Sequence, residues 1–143
     1  MSDSIITPPA RIAFLGLGMM GLPMASRLVQ AGFAVHGFDP AEAARVAFAA
    51  AGGIVCASAA EAAEGSAALI TMLPDGKAVA AALLGDAVPL VTHLAPGAVV
   101  IDMSSSAPVG TRELAARLDA VGVGLVDAPV SGGVRRARDG SLA

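Results

Sequence analysis

Residues 12–21 read IAFLGLGMMG, and the chain continues as LPMASRL. An apolar run drops straight into Gly16, Gly18 and Gly21, and a helical pattern follows. In a strand–G-x-G-x-x-G–helix unit each glycine has a physical task. Gly16 permits the tight turn, Gly18 lets a pyrophosphate approach the backbone, and Gly21 lets the helix pack close to the strand. The helix N-terminus then turns free N–H groups and the positive end of its dipole toward the phosphates. A plain glycine turn has the same letters, so the surrounding sequence has to decide between the two.

Outward from that turn, strands and helices alternate. Arg11–Leu15 reads as a buried strand, and Met20–Ala31 as a helix with Met20, Met24, Leu28 and Ala31 on one face. Gly32 stops it. Ala34–Phe38 is a second strand, closed by Asp39-Pro40, and Ala41–Ala51 an Ala-rich helix. Ile54–Cys56 is a short strand, and Ser58, with Glu61 three residues on, caps a short helix through Glu64. Strands at Ala67–Met72, Ala98–Asp102 and Gly124–Asp127 follow, with helices near Lys77–Leu84, from Pro108 through Val121, and up to about Asp139. Pro89–Pro96 reads as partly helical. This alternation predicts an α/β fold: a doubly wound, mostly parallel sheet covered on both faces, of the Rossmann dinucleotide-binding type. Residues 1–10, with Pro8 and Pro9, read as a flexible N-terminal tail, and 11–143 as one dinucleotide-binding domain.

Apolar residues make up 55% of the 143 and charged residues 15%, which argues against disorder. The net charge of −3 gives no general attraction to nucleic acid or to membrane surfaces. Arg135, Arg136 and Arg138 form the one basic cluster and read as a solvated helix face. Glycines interrupt the apolar run after Arg11, which argues against a secretory signal and a membrane span. Cys56 is the single cysteine, which fits a reducing cytoplasm. His36 and His93 have no Cys or acidic partners at metal-motif spacing and read as structural or surface residues.

Asp39 closes the second strand about 20 residues beyond the glycines, where a carboxylate reads the adenine-ribose 2′-OH and repels a 2′-phosphate. It argues for NAD(H) over NADP(H), although Arg45 lies one helical turn further on.

Four motifs, GLGMMGLPMA (16–25), ITMLPD (70–75), IDMSSSAP (101–108) and DAPVSGGVRRARDGSL (127–142), run in this order over nearly the whole chain. Together they resemble the β-hydroxyacid dehydrogenases, which include 3-hydroxyisobutyrate dehydrogenases and tartronate semialdehyde reductases. The DAPVSGG run sets them apart from the related phosphogluconate dehydrogenases and imine reductases. The resemblance implies that Gly16, Leu17, Gly18, Met19, Met20 and Gly21 form the pyrophosphate loop and that Asp39 selects the cofactor. It implies that Leu73 and Pro74 lie against the nicotinamide-side ribose. Ser105 stands beside the nicotinamide where the family usually has Thr, keeping the hydroxyl and losing the methyl. Ser131, Gly132 and Gly133 match the segment that holds the substrate carboxylate. Each has a plainer reading beside it: a turn before a helix for 131–133, a strand-to-helix turn for Leu73-Pro74, and helix caps for Ser104 and Ser105. Asp102 and Asp127 read as residues that fix loops at strand ends.

Hydride transfer between a carbinol and a ketone also needs a proton donor or acceptor at the oxygen. In the resembling family that group is a Lys, helped by an Asn, downstream of DAPVSGG and beyond Ala143. Lys77 is the one lysine and stands in the wrong motif, at a solvated helix start. Ser141-Leu142-Ala143 reads as the start of another element, so the expectation is a domain cut before the family's helical C-terminal domain, inactive alone. The full-length protein is expected to be a homo-oligomer. A stand-alone dinucleotide-binding module without catalysis is the alternative, and a degenerate domain that keeps its glycines for folding only is a third.

Overall fold

A computed structural model describes residues 5–85, 88–104, 108–130, 133–140 and 142. Six strands form one sheet: β1 (Arg11–Leu15), β2 (Ala34–Phe38), β3 (Ile54–Val55), β4 (Ala68–Thr71), β5 (Val99–Asp102) and β6 (Gly124–Asp127). Their order is β3-β2-β1-β4-β5-β6, and all pairings are parallel. Helices α1 (Gly21–Gln30), α2 (Glu42–Ala50), α3 (Ala59–Ala63), α4 (Gly76–Leu84), α5 (Pro108–Asp119) and α6 (Gly133–Asp139) connect or follow the strands. Residues Leu90–His93 make a 3-10 turn.

The side-chain period of two in a strand sorts the core into two layers. Ile12 and Phe14 of β1, Val35 of β2 and Ala68 and Ile70 of β4 pack with Leu17, Met24 and Ala25, with Phe48 of α2 and with Ala137 of α6. Ala13 and Leu15, Leu69 and Val100 point the other way, onto Ala62 and Ala63 of α3, Val79 and Leu83 of α4, and Leu114 and Leu118 of α5. The split follows from handedness. Right-handed crossovers put α1 and α2 on one face while the chain steps from β1 to β3, and α3, α4 and α5 on the other; α6, after the last strand, returns to the first face against α1.

Local signals set the ends of the elements. Ser58 Oγ accepts the Glu61 N–H at 3.1 Å, and Glu61 Oε2 accepts the Ala57 N–H at 3.0 Å, so the α3 start is closed reciprocally. Asp75 Oδ1 accepts the Ala78 N–H at 2.9 Å and caps α4. At the opposite end of the sheet Arg11 donates through Nη2 to the Glu61 carbonyl at 2.7 Å, near the last turn of α3. Helix α1 begins at Gly21 and β3 ends before Cys56, each slightly shorter than the sequence pattern. Strand β6 is an edge of the sheet: it pairs only with β5, and Val126 is 48% exposed.

Candidate functional site

The strand order reverses between β1 and β4, and in a sheet of this kind ligands bind beyond the carboxyl ends of the strands at that point. The glycine turn leaves β1 there. Gly16 has φ +95°, a left-handed conformation that side chains rarely adopt, and a Cβ added to it would strike the Met72 carbonyl oxygen just past β4. A Cβ on Gly21 would strike the Gly16 carbonyl oxygen. The fold itself therefore demands two of the three glycines. Gly18 is different: a Cβ there would meet no atom within 4 Å. Nothing in the described chain uses the space that Gly18 leaves, whereas a pyrophosphate laid against the backbone would.

Hydrogen bonding divides the loop in the same way. The Gly16 N–H donates to the Phe38 carbonyl at 3.2 Å and the Leu17 N–H to Asp39 Oδ2 at 2.9 Å, which fastens the start of the loop to the end of β2. The next N–H groups, those of Gly18, Met19 and Met20, have no acceptor among the described residues. The α1 N-terminus also lacks a side-chain cap, unlike α3 and α4, and has no acidic residue in its first turn. Uncommitted donors at the positive end of a helix suit an anion. Leu17 is buried beneath the loop, while Met19 is 81% exposed above it.

Asp39 sits at the mouth of β2. Its Oδ1 accepts the Ala41 N–H at 2.8 Å while Oδ2 holds Leu17, so one carboxylate braces both the β2 exit turn and the glycine loop. Arg45 folds back from α2 onto the same turn, where Nη1 donates to the carbonyls of Asp39 at 2.8 Å and Pro40 at 2.9 Å. An open groove of about 610 Å³ runs from Leu17, Gly18 and Met19 along α1 toward Arg27 and Arg138.

On the far side of the switch point the loops are held by buried side chains. Thr71 and Ser104 are 0% exposed and Asp102 is 1% exposed. Asp102 Oδ1 accepts from Thr71 Oγ1 at 3.0 Å and from the Ser104 N–H at 3.0 Å. Ser104 Oγ in turn accepts the Leu73 N–H at 2.8 Å and faces the Thr71 carbonyl at 3.4 Å. Leu73 is half-buried against the α4-side core, and Pro74 is exposed.

The structure thus brings Gly16, Leu17, Gly18, Met19, Met20, Gly21, Asp39, Leu73 and Pro74 to the strand exits around β1, β2 and β4. Ser105, Ser131 and Gly132 lie outside the described residues. Gly133 opens α6, which packs on α1. Asp102 fixes loops, as expected, whereas Asp127 is exposed at the β6 exit. Sequence reasoning missed Thr71, and Ser104 ties two loops together instead of serving only as a cap. The available signal was a polar residue closing an apolar strand in both ITMLPD and IDMSSS, because those two strand ends are partners in register: Thr71 stands opposite Asp102.

Neither histidine belongs to the site. His36 Nδ1 lies 3.8 Å from Cys56 Sγ. Burial, then the Arg11 charge, lowers the His36 pKa against a smaller opposing effect of Glu61. Burial also raises the Cys56 thiol, with Glu61 adding to it, so the thiol stays protonated at neutral pH. His93 Nδ1 pairs with Glu64 Oε2 at 3.0 Å on the surface. Lys77 is exposed in the first turn of α4. No helix among the described residues is long and apolar enough to cross a membrane.

Comparison with known proteins agrees with this geometry. An NAD-dependent L-serine dehydrogenase of Pseudomonas aeruginosa is 40% identical over 132 residues, 92% of this chain and 44% of that protein. A 3-hydroxyisobutyrate dehydrogenase of the same bacterium is 44% identical over 131 residues, again 92% of this chain and 44% of that protein. The solved structure of Mycobacterium tuberculosis 3-hydroxyisobutyrate dehydrogenase with L-serine superimposes with a TM-score of 0.86 at 42% identity, covering 92% of this chain and 44% of that one. The chain therefore spans less than half the length of these relatives. The model of the NAD binding domain of 6-phosphogluconate dehydrogenase matches residues 11–143, and the chain belongs to that family of NAD-binding domains.

Proposed function

We propose that this chain is the cofactor-binding part of an NAD-dependent dehydrogenase of short 3-hydroxy acids. The observation that carries the reading is the glycine loop: its open N–H groups and the empty space over Gly18 suit a pyrophosphate, and no internal packing accounts for them. The relatives' names narrow the substrate. L-serine and 3-hydroxyisobutyrate share one frame, HOCH₂–CH(R)–COO⁻, in which R is an ammonium or a methyl group. A substrate of this class offers a primary carbinol for oxidation and a carboxylate for anchoring.

When bound, NAD supplies the hydride acceptor. The chain's own residues then have distinct tasks. The N–H groups of Met19 and Met20 hold the pyrophosphate, and Asp39 accepts from the adenine-ribose hydroxyl, which favours NAD over NADP. Leu73 and Pro74 flank the nicotinamide-side ribose, Ser105 offers its hydroxyl beside the ring, and Ser131, Gly132 and Gly133 take the substrate carboxylate. The carbinol proton needs a base. By the family resemblance that base is a Lys beyond Ala143, in a helical domain that completes the site and the homo-oligomer, so the chain alone has negligible turnover. A cytoplasmic location fits the single Cys56, kept as a buried thiol.

The test is a titration of NADH followed by its fluorescence, with NADPH in parallel. The chain has no Trp or Tyr, so protein emission hardly interferes. Saturable binding that prefers NADH is expected. Absence of binding by a folded sample would overturn the reading in favour of a domain that keeps its glycines for folding only.

A further inference from the structure

The reading just given places the adenosine end of the cofactor at Asp39, on the β2 side of the switch point. The other end must then cross toward the β4 and β5 exits, because those strands continue the sheet in the opposite direction. Two loops receive it there, the one that begins at Met72 and Leu73 and the one that begins at Met103 and Ser104. Each leaves its strand at the same level, since Thr71 and Asp102 are partners in register. Parallel strands alone do not fix how far apart their exit loops stand.

The Ser104 hydroxyl adds a direct tie between them. Ser104 Oγ accepts the Leu73 N–H at 2.8 Å, across the gap between the two loops. Ser104 is itself held from below, because its N–H donates to Asp102 Oδ1 at 3.0 Å and that oxygen also takes the Thr71 hydroxyl at 3.0 Å. All three polar residues are shut off from water. In that setting a lost partner costs more than in solvent, and the geometry of the remainder is rigid. The Met103 N–H donates to the Thr71 carbonyl at 2.9 Å, which closes the frame on its backbone side.

We propose that Ser104 is a positioning residue for the nicotinamide half of the cofactor. It touches neither cofactor nor substrate. It sets the spacing between the Leu73-Pro74 loop and the β5 exit at Met103 and Ser104, and that spacing is the seat of the nicotinamide riboside. The inference rests on the proposed NAD-binding reading and assigns a role to a residue that reading does not use.

A ligand pair separates positioning from general stability. ADP carries the adenosine and pyrophosphate of NADH but lacks the whole nicotinamide riboside, ribose and ring. Calorimetric titration of both ligands against the wild-type chain and Ser104→Ala is the experiment, with Ser104→Cys as the near-isosteric variant that keeps the volume but offers only a weak acceptor. The expected result is a loss of NADH affinity of about fivefold in Ser104→Ala, the size of one lost hydrogen bond, with ADP affinity unchanged. Ser104→Cys should follow Ser104→Ala, and it alone decides the matter if Ser104→Ala does not fold. Equal losses for both ligands would mean a merely structural role and overturn the proposal, as would unchanged affinity for both. If the folded wild type binds neither ligand, the functional reading falls and takes this inference with it.

Discussion

Around β1 and β2 the loops are held almost wholly by backbone, and around β4 and β5 by buried side chains. In the first half, Gly16 and Gly21 allow main chain to lie against main chain, and one half-buried carboxylate, Asp39, ties the loop to the turn beside it. In the second half, Thr71, Asp102 and Ser104 make a closed polar cluster with no contact to water. On the proposed function, the difference follows from what each half must present. A pyrophosphate needs bare N–H groups at close range, which only a loop without side chains provides. A ring and a sugar need two walls at a fixed separation, which side-chain hydrogen bonds can set.

If that division is real, the two halves should break differently. The largest effect belongs to Gly21→Ala, whose new methyl would strike the Gly16 carbonyl oxygen with only backbone to yield. Thermal unfolding should register a loss of about 3 kcal/mol, and a stable variant would show that the helix–strand contact is looser than described. Next comes Asp102→Ala, which strips the acceptor from the Thr71 hydroxyl and the Ser104 N–H inside the core. Denaturant unfolding should show about 2–3 kcal/mol lost. A change under about 0.5 kcal/mol, the size of an ordinary surface substitution, would deny the second half its side-chain frame. Gly18→Ala should leave stability within that same 0.5 kcal/mol or so, yet weaken NADH about tenfold, equivalent to about 1.4 kcal/mol. Unaltered NADH affinity there would remove the functional reason for the third glycine.

The smallest effect concerns pH and lies within strand β2, away from the loops of both halves. His36 is held below its ordinary value of 6.5, by burial first and the Arg11 charge second. The unfolded chain therefore takes up the proton more readily than the folded one as pH falls. The stabilising contribution is complete above pH 6.5 and drains away as pH drops from there through the folded value. His36→Gln should flatten unfolding free energy against pH in that window, and an unchanged slope would refute the assignment.

Legibility in the sequence followed the same division. The first half could be read because its devices are local: a glycine spacing, a strand before it, a helix after it, and an acidic residue at the end of the next strand. Strand β2 appears at the limits its pattern predicted, and Ser58 caps α3 as its spacing with Glu61 implied. The clamp of the second half could not be read, because Thr71 and Ser104 are far apart in the chain and meet only through the parallel register of β4 and β5. Helix-end details were off by a residue or two, since a pattern of apolar positions does not say where the first hydrogen-bonded turn closes.

Asp39 carries one more consequence, for how cofactor preference could change over generations. Its carboxylate would discriminate between cofactors, and it also pins the Leu17 N–H at the base of the loop. A substitution that removed the discrimination would unpin the loop at the same stroke. Drift from one cofactor to the other would therefore have to pass through a weakened binder, unless a second substitution first supplied another acceptor for Leu17. Preference in such a chain is guarded less by the strength of one contact than by the two tasks that a single side chain performs.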